Sequence, residues 1–279
     1  MTQSSGWQLS GSASEAYERY IVQAFMQGWT HALLEMANLA AGARVLDVAC
    51  GTGVVARLVA ARVGQKGRVV GVDLNTGMLA TARMLPQSPP GVSVEWREGN
   101  VTALPFPEAA FDAVLCQQGL QFFPNRPAAL REMHRVLVDG GRLGLSVWRS
   151  ADHSPCHTAI AESLGRRVGP DVVKRFLAIF SFGDENALRD LIEQAGFYDV
   201  KIVEHVLRRH LLAPAVSVPG LLASTPVGPD VAVLPAEVRD AIVTEVADRM
   251  RDYRDGDGIT VPQATYLMTA RKQAATPVN

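Results

Sequence analysis

The chain has 279 residues, with 27 Lys and Arg against 28 Asp and Glu, a formal net charge of −1. That length suits one large domain or a core with a cap, and a 48% hydrophobic, 20% charged composition is that of an ordinary globular protein. The near-neutral balance argues against a nucleic-acid binder or a polybasic membrane-surface protein. No run of about 18 apolar residues offers a bilayer span. The opening MTQSSGWQLSGSAS has no Lys or Arg and no apolar stretch, so it does not read as a signal peptide. Cys50, Cys116 and Cys156 are odd in number and far apart, which fits neither a disulfide framework nor a zinc site. These features predict a reduced, cytoplasmic protein with no membrane insertion and no nucleic-acid partner.

From Tyr17 to Leu39 apolar residues recur at helical spacing, with Gly28 as a candidate break. Arg44 to Ala49 reads as a buried strand running into the turn Cys50-Gly51-Thr52-Gly53, and Val54–Val63 as the helix that follows. A second strand is predicted over 67–73, a second helix over 76–85, a third strand over 92–98 and a fourth over 111–117. A helix over 127–137 and a fifth strand over 141–148 continue the alternation, which predicts a parallel sheet covered on both faces and doubly wound. The second half is less regular. Helices are predicted over 155–168, 170–179 and 185–195, a strand over 198–207, a proline-broken helical stretch over 214–254, and a final strand over 264–271. The broken stretch reads as a cap inserted before the last strand.

The turn Asp47-Val48-Ala49-Cys50-Gly51-Thr52-Gly53 carries the chemistry. Glycines there let a ligand approach the backbone at a helix N-terminus. Asp73, twenty residues after Gly53 and at the end of the second strand, can accept both ribose hydroxyls of an adenosine. Gly51-Thr52-Gly53-Val54-Val55-Ala56 also fits the dinucleotide pattern, so a nicotinamide-dependent oxidoreductase is one reading. Asp47 favours another. A carboxylate at the mouth of the loop repels a pyrophosphate and attracts the ammonium and sulfonium of S-adenosylmethionine.

Val45 to Gly53 resembles the first motif of class I S-adenosylmethionine-dependent methyltransferases of the ubiquinone and menaquinone biosynthesis group. Further matches follow in the family's order: Gly71-Val72-Asp73-Leu74-Asn75 with Met78, Leu104-Pro105-Phe106-Pro107, Phe111-Asp112-Ala113-Val114, and Glu132 to Leu137. Gly140-Gly141 matches the family's proline-glycine-glycine turn, with Asp139 in place of proline. Together these cover residues 44 to 148. The resemblance implies a mostly parallel, seven-stranded, Rossmann-like sheet with an antiparallel last strand and a helical cap. It also implies a cofactor set of Asp47, Ala49, Gly51, Gly53, Asp73, Leu74, Met78, Asn100, Val101 and Gln117. In that set Asp73 holds the ribose, Leu74 and Met78 sandwich the adenine, and Gln117 lies beside the methionine moiety. Asn100 stands where the family often has an aspartate facing the adenine amino group, and its amide oxygen can accept the same bond.

His153, after the fifth strand, is the candidate catalytic base and a candidate substrate contact; Tyr17, Tyr20 and Phe122 are further candidate substrate-lining residues. His153 and His157 are four apart, but Pro155 between them argues against a metal pair, and no metal is expected. No hydrolase elbow, phosphate loop or zinc-protease motif occurs. The predicted function is methyl transfer from S-adenosylmethionine, with S-adenosylhomocysteine as product, to a small apolar or aromatic acceptor such as a quinol, phenol, polyketide or terpenoid. The alternatives are a protein that binds S-adenosylmethionine without transferring its methyl, and the oxidoreductase. The predicted organisation is a single domain: an N-terminal helical lid (1–42), a cofactor-binding core (43–150), cap insertions (151–182 and 212–258), and a C-terminal sheet part (183–211 and 259–279). The expected partners are a small-molecule substrate and, as a homodimer, a second copy of the chain.

Overall fold

Strands with apolar residues on both faces need cover on both sides, and the helices between them supply it in the computed structural model, which describes Ser14 and residues 17–86 and 93–274. A π-wound segment, Glu18–Met26, runs directly into α1 (Gln27–Ala37). The order continues β1 (Arg44–Val48), α2 (Val54–Val63), β2 (Arg68–Asp73), α3 (Thr76–Met84), β3 (Val94–Glu98), β4 (Phe111–Gln117), α4 (Arg126–Val136) and β5 (Leu137–Trp148). Then come α5 (Pro155–Arg167), α6 (Pro170–Phe176), α7 (Glu185–Gln194), β6 (Phe197–Leu211), α8 (Pro214–Ala223), α9 (Gly228–Ala232), α10 (Ala236–Arg249), β7 (Arg254–Asp255) and β8 (Gly258–Lys272). Helix starts follow local chemistry: the Asn75 side chain accepts from the N–H groups of Gly77 and Met78, and Asp184 accepts from Ala187.

The sheet order is β3-β2-β1-β4-β5-β8-β6, with the short β7 paired beside β8. β1 to β5 are parallel, while β8 is antiparallel to both β5 and β6. Successive residues of the central strands point to opposite faces, so Leu46 and Val114 join the core under α4 and α7, while Val45 and Leu115 join the core under α1 and α2. Trp29 of α1 packs edge-on against Trp148 at the end of β5, with ring centroids 4.9 Å apart. A third apolar cluster unites α5, α6, α8 and α10 with the outer ends of β6 and β8, through residues such as Ile160, Leu222, Ile242 and Val261.

Three sequence expectations change. The first helix does not break at Gly28; that glycine sits under β6, where an added Cβ would come 2.8 Å from the Leu207 side chain. β6 and β8 run several residues farther than predicted. β5 leaves β8 after Trp148–Thr265, but β6 stays paired with β8 out to Leu211–Ile259. The two strands therefore continue past the sheet as a two-stranded ribbon. Pro262 lies in this extension, where β8 no longer has β5 as a neighbour.

Candidate active site

β1 delivers the chain to the glycine turn, and the turn's backbone explains its composition. Ala49 (φ 55°), Gly51 (φ 54°) and Gly53 (φ 89°) are all left-handed, a region easily reached only by glycine. At Gly51 a Cβ would meet nothing within 4 Å, so the backbone is open to a ligand. At Gly53 a Cβ would lie 2.2 Å from the Trp96 ring. Gly53 therefore packs the turn against β3, while Gly51 lines the cavity.

Asp73 closes β2 and reaches back to this turn. Its Oδ2 accepts from the Gly51 N–H at 2.7 Å and its Oδ1 from the Asn75 N–H at 2.8 Å. Burial raises its pKa, and those backbone donors oppose the rise. Each oxygen retains a second lone pair. The sequence reading put Asp47 at the mouth of the turn, but it lies beneath the turn, only 1% exposed. Its Oδ2 accepts from Ala56 N–H at 3.0 Å, which ties down the start of α2. Its Oδ1 is buried with no hydrogen-bond partner, and burial pushes the carboxyl pKa up to about 8.

Asp73 lines a cavity at the carboxyl ends of the parallel strands, where ligands bind in such sheets, while Asp47 lies behind the turn and off that wall. The cavity's volume is about 1520 Å³ with its open mouth and the solvent in it included. Ala49, Gly51, Asp73, Leu74, Met78, Asn100, Val101 and Gln117 all line it, as do Tyr17 and Phe122. The turn is fastened to the N-terminal helix: Thr52 Oγ1 donates to Glu18 Oε2 at 2.5 Å, and Arg57 lies 3.6 Å from Glu18 Oε1. This holds Tyr17 over the cavity, its hydroxyl pKa raised by burial and by the nearby Glu18 and Asp73. The Tyr20 side chain lies outside the described residues. Gln117 Nε2 donates to Thr30 Oγ1 at 2.9 Å, while its Oε1 is buried and unpartnered.

Two further expectations are corrected. The Asn100 amide oxygen accepts from both the N–H and the hydroxyl of Thr102, each at 2.9 Å. Its own turn uses that oxygen, so the amide offers a ligand its Nδ2 donors. His153 stands on a 3-10 turn over 151–153, with Nε2 3.4 Å from Asp152 Oδ2, and is not on the cavity wall. His157, one turn into α5, is on that wall. Its ring stacks on Phe176 at 5.9 Å and meets Phe180 edge-on at 5.1 Å. Burial, reinforced by the charge of Arg209, holds its pKa down to about 3, so it is neutral at physiological pH. Arg209 and Gln263, on the ribbon, also line the cavity and were not singled out from sequence. The signal for Arg209 was present: a period of two along β6 puts it on the same face as Leu207 and Leu211. Among the described residues no cluster of three metal-ligating side chains occurs, and no helix is long and apolar enough to cross a membrane.

The family model described as a methyltransferase domain matches residues 45–141. The chain is 36% identical over 182 residues to the 2-phytyl-1,4-naphtoquinone methyltransferase of Thermosynechococcus vestitus, covering 62% of this chain and 80% of that one. It is 35% identical over 179 residues to the ubiquinone/menaquinone biosynthesis C-methyltransferase of Hahella chejuensis, covering 60% and 72%. Solved structures share the fold. The Haemonchus contortus phosphoethanolamine N-methyltransferase 2, bound to S-adenosylhomocysteine, superposes with a TM-score of 0.60 at 18% identity, covering 94% of this chain and 57% of that one. The YcgJ protein of Bacillus subtilis gives 0.59 at 18% identity, covering 88% and 98%.

Proposed function

Because this chain belongs to the class I S-adenosylmethionine-dependent methyltransferases of the ubiquinone and menaquinone type, we propose that its acceptor is an apolar, quinol-like ring. The enzyme's cofactor is S-adenosylmethionine, which when bound supplies a methyl group already activated on a sulfonium. The residues present suit it. In this proposal Asp73 accepts the ribose hydroxyls with the lone pairs that Gly51 and Asn75 leave open. Leu74, Met78 and Val101 flank the adenine, and Asn100 donates to it through Nδ2. The open backbone at Gly51 and the amide of Gln117 receive the methionine end. Asp47, which keeps its proton in the free protein, would release it and become a negative counterpart when an ammonium lies nearby.

The observation that carries the acceptor half is the rest of the wall. Beyond the glycine turn its apolar part is built from Ile21, Phe122, Trp148, Phe176, Ile179 and Leu221, a surface for a flat apolar body. The helices over 151–182 and 212–258 would then form the acceptor's cap, and of the predicted lid over 1–42 the described helical part, 18–37, would cover the cofactor. The protein's part in the transfer is to align the acceptor's nucleophilic atom with the methyl and to exclude water. The test is incubation with methyl-tritiated S-adenosylmethionine and a 2-isoprenyl-1,4-naphthoquinol. Label on the ring is the expected result. Tight S-adenosylhomocysteine binding with no label in quinols, phenols, polyketides or terpenoids would favour a protein that uses the cofactor without transferring its methyl.

A further inference from the structure

The cavity wall is charged at two places that are far apart. Among its described residues the full charges are Asp73, on β2, and Arg209, on β6. β2 and β6 are separated by β1, β4, β5 and β8, five strand spacings or roughly 24 Å along the sheet. The two charges thus serve different parts of the space, and Arg209 belongs to the part that the cofactor residues leave open.

Arg209 is a built feature of that part. It stands on the ribbon beyond the end of β5, only 4% exposed although residues 208 and 210 on either side are exposed. Opposite Val261 in the β6–β8 register, it is diagonal to Gln263, and its Nη1 donates to Gln263 Oε1. The amide thereby fixes the guanidinium on the cavity wall. His157 approaches the same region from α5, close enough for the arginine's charge to act on its ring. No described residue hydrogen-bonds its ring nitrogens, and the neutral ring has one donor and one acceptor to offer. The wall that holds this pair also carries Trp148, Phe176 and Ile179, with Ser224 and Thr225 among its polar residues. A guanidinium in such surroundings is strengthened as an anion receptor, because little solvent screens it.

We propose that Arg209, with His157 beside it, receives an ionised oxygen of the methyl acceptor, so that the substrate class is an apolar ring carrying an acidic enol, phenol or carboxyl group. This rests on the methyl-transfer reading and sharpens it. An enolate or phenolate on Arg209 also makes the ring carbons adjacent to that oxygen more nucleophilic, so seating and activation come from one contact. The proton is lost to solvent before binding, and the pair holds the anion without having to take up a proton.

Binding of matched probes tests this on the full chain saturated with S-adenosylhomocysteine, at pH 7.5 by calorimetry. One pair is 2-hydroxy-1,4-naphthoquinone, ionised at this pH, against its neutral 2-methoxy ether. The other is 2-naphthoate against 2-naphthamide. At least one anion should bind tenfold or more tightly than its neutral partner, and the pair that shows the preference identifies the oxygen as enolic or carboxylic. Arg209→Gln should bring that ratio to near one while S-adenosylhomocysteine affinity stays within threefold. Should Arg209→Gln not fold, Arg209→Lys keeps the charge and should keep at least a threefold preference. Equal binding of anion and neutral partner by the wild-type protein overturns the proposal, as does an undiminished preference in folded Arg209→Gln. Failure of the wild-type protein to bind S-adenosylhomocysteine at all would instead overturn the cofactor reading, a separate and distinguishable result.

Discussion

Asp73 and Asp47 are both buried carboxylates beside one glycine turn, and their hydrogen bonds give them different duties. Asp73 orders the turn through Gly51 N–H and keeps lone pairs for a ligand. Asp73→Ala should weaken S-adenosylhomocysteine binding by about 1.5–3 kcal/mol, the scale of hydrogen bonds to a charged group; calorimetry checks it, and unchanged affinity in a folded variant would mean that the ribose is held elsewhere. Asp47 supports the fold through Ala56 N–H and carries a pKa raised to about 8 from an ordinary 3.8. Between those values the native carboxyl keeps a proton that the unfolded chain has released. Its contribution to stability is therefore present below about pH 4 and is lost as pH rises toward 8. The free protein's melting temperature should fall more steeply from pH 5 to 8 than that of Asp47→Asn, which still accepts from Ala56. If the ligand's ammonium sits beside Asp47 as proposed, saturating S-adenosylhomocysteine should flatten the wild-type curve. Parallel slopes for the two proteins would refute this role. The glycines of the turn were visible in the sequence, but their division of labour was not. Nothing local tells that Gly53 faces a tryptophan more than forty residues away while Gly51 faces the cavity. The same limit misplaced the histidine. His153 and His157 lie on one short segment, and only the packing of α5 against Phe176 and Phe180 decides which ring reaches the cavity.

At the scale of elements, the parallel strands were legible because each is a short apolar run closed by turn residues, and burial on both faces needs just that pattern. The outer halves of β6 and β8 were not. They carry Arg208, Arg209, His210, Pro262 and Gln263, residues that rarely announce a strand. The pairing that extends them spans some fifty residues of sequence, so it is a long-range cause with no local signature. The π-wound segment escaped for a related reason. An apolar stripe at a period of 3.6 does not distinguish α from π winding when the following helix continues it. The cap is joined by charge as well as by apolar packing. Glu245 on α10 accepts from Ser163, Arg166 and Arg167 on α5, and these donors hold its pKa down to about 2. Because the site is partly solvent-screened, Glu245→Ala should cost only about 1 kcal/mol of stability. Chemical denaturation measures that. S-adenosylhomocysteine affinity should not move, because no cofactor residue lies on either helix. A large loss of affinity would show that the cap and the cofactor end are coupled.

For the whole molecule, one sheet organises the two ends of one cavity. The carboxyl ends of β1, β2 and β4 present carboxylates, glycines and amides. The ribbon and the helices packed on it present aromatic rings and a buried cation. A net charge of −1 leaves no long-range field to draw in a polyanion, so selection of ligands falls to these local groups. Ligand binding to the folded state alone should raise its stability by about 2.7 kcal/mol at a hundred times the dissociation constant. The claim on which everything else stands is that the glycine turn receives a cationic methionine-derived ligand rather than a pyrophosphate. Titration calorimetry of the full chain with S-adenosylhomocysteine and, separately, with NAD addresses it directly. Saturable one-site binding of S-adenosylhomocysteine and no heat of binding for NAD are expected; tight NAD binding with no response to S-adenosylhomocysteine would contradict a cationic-ligand turn.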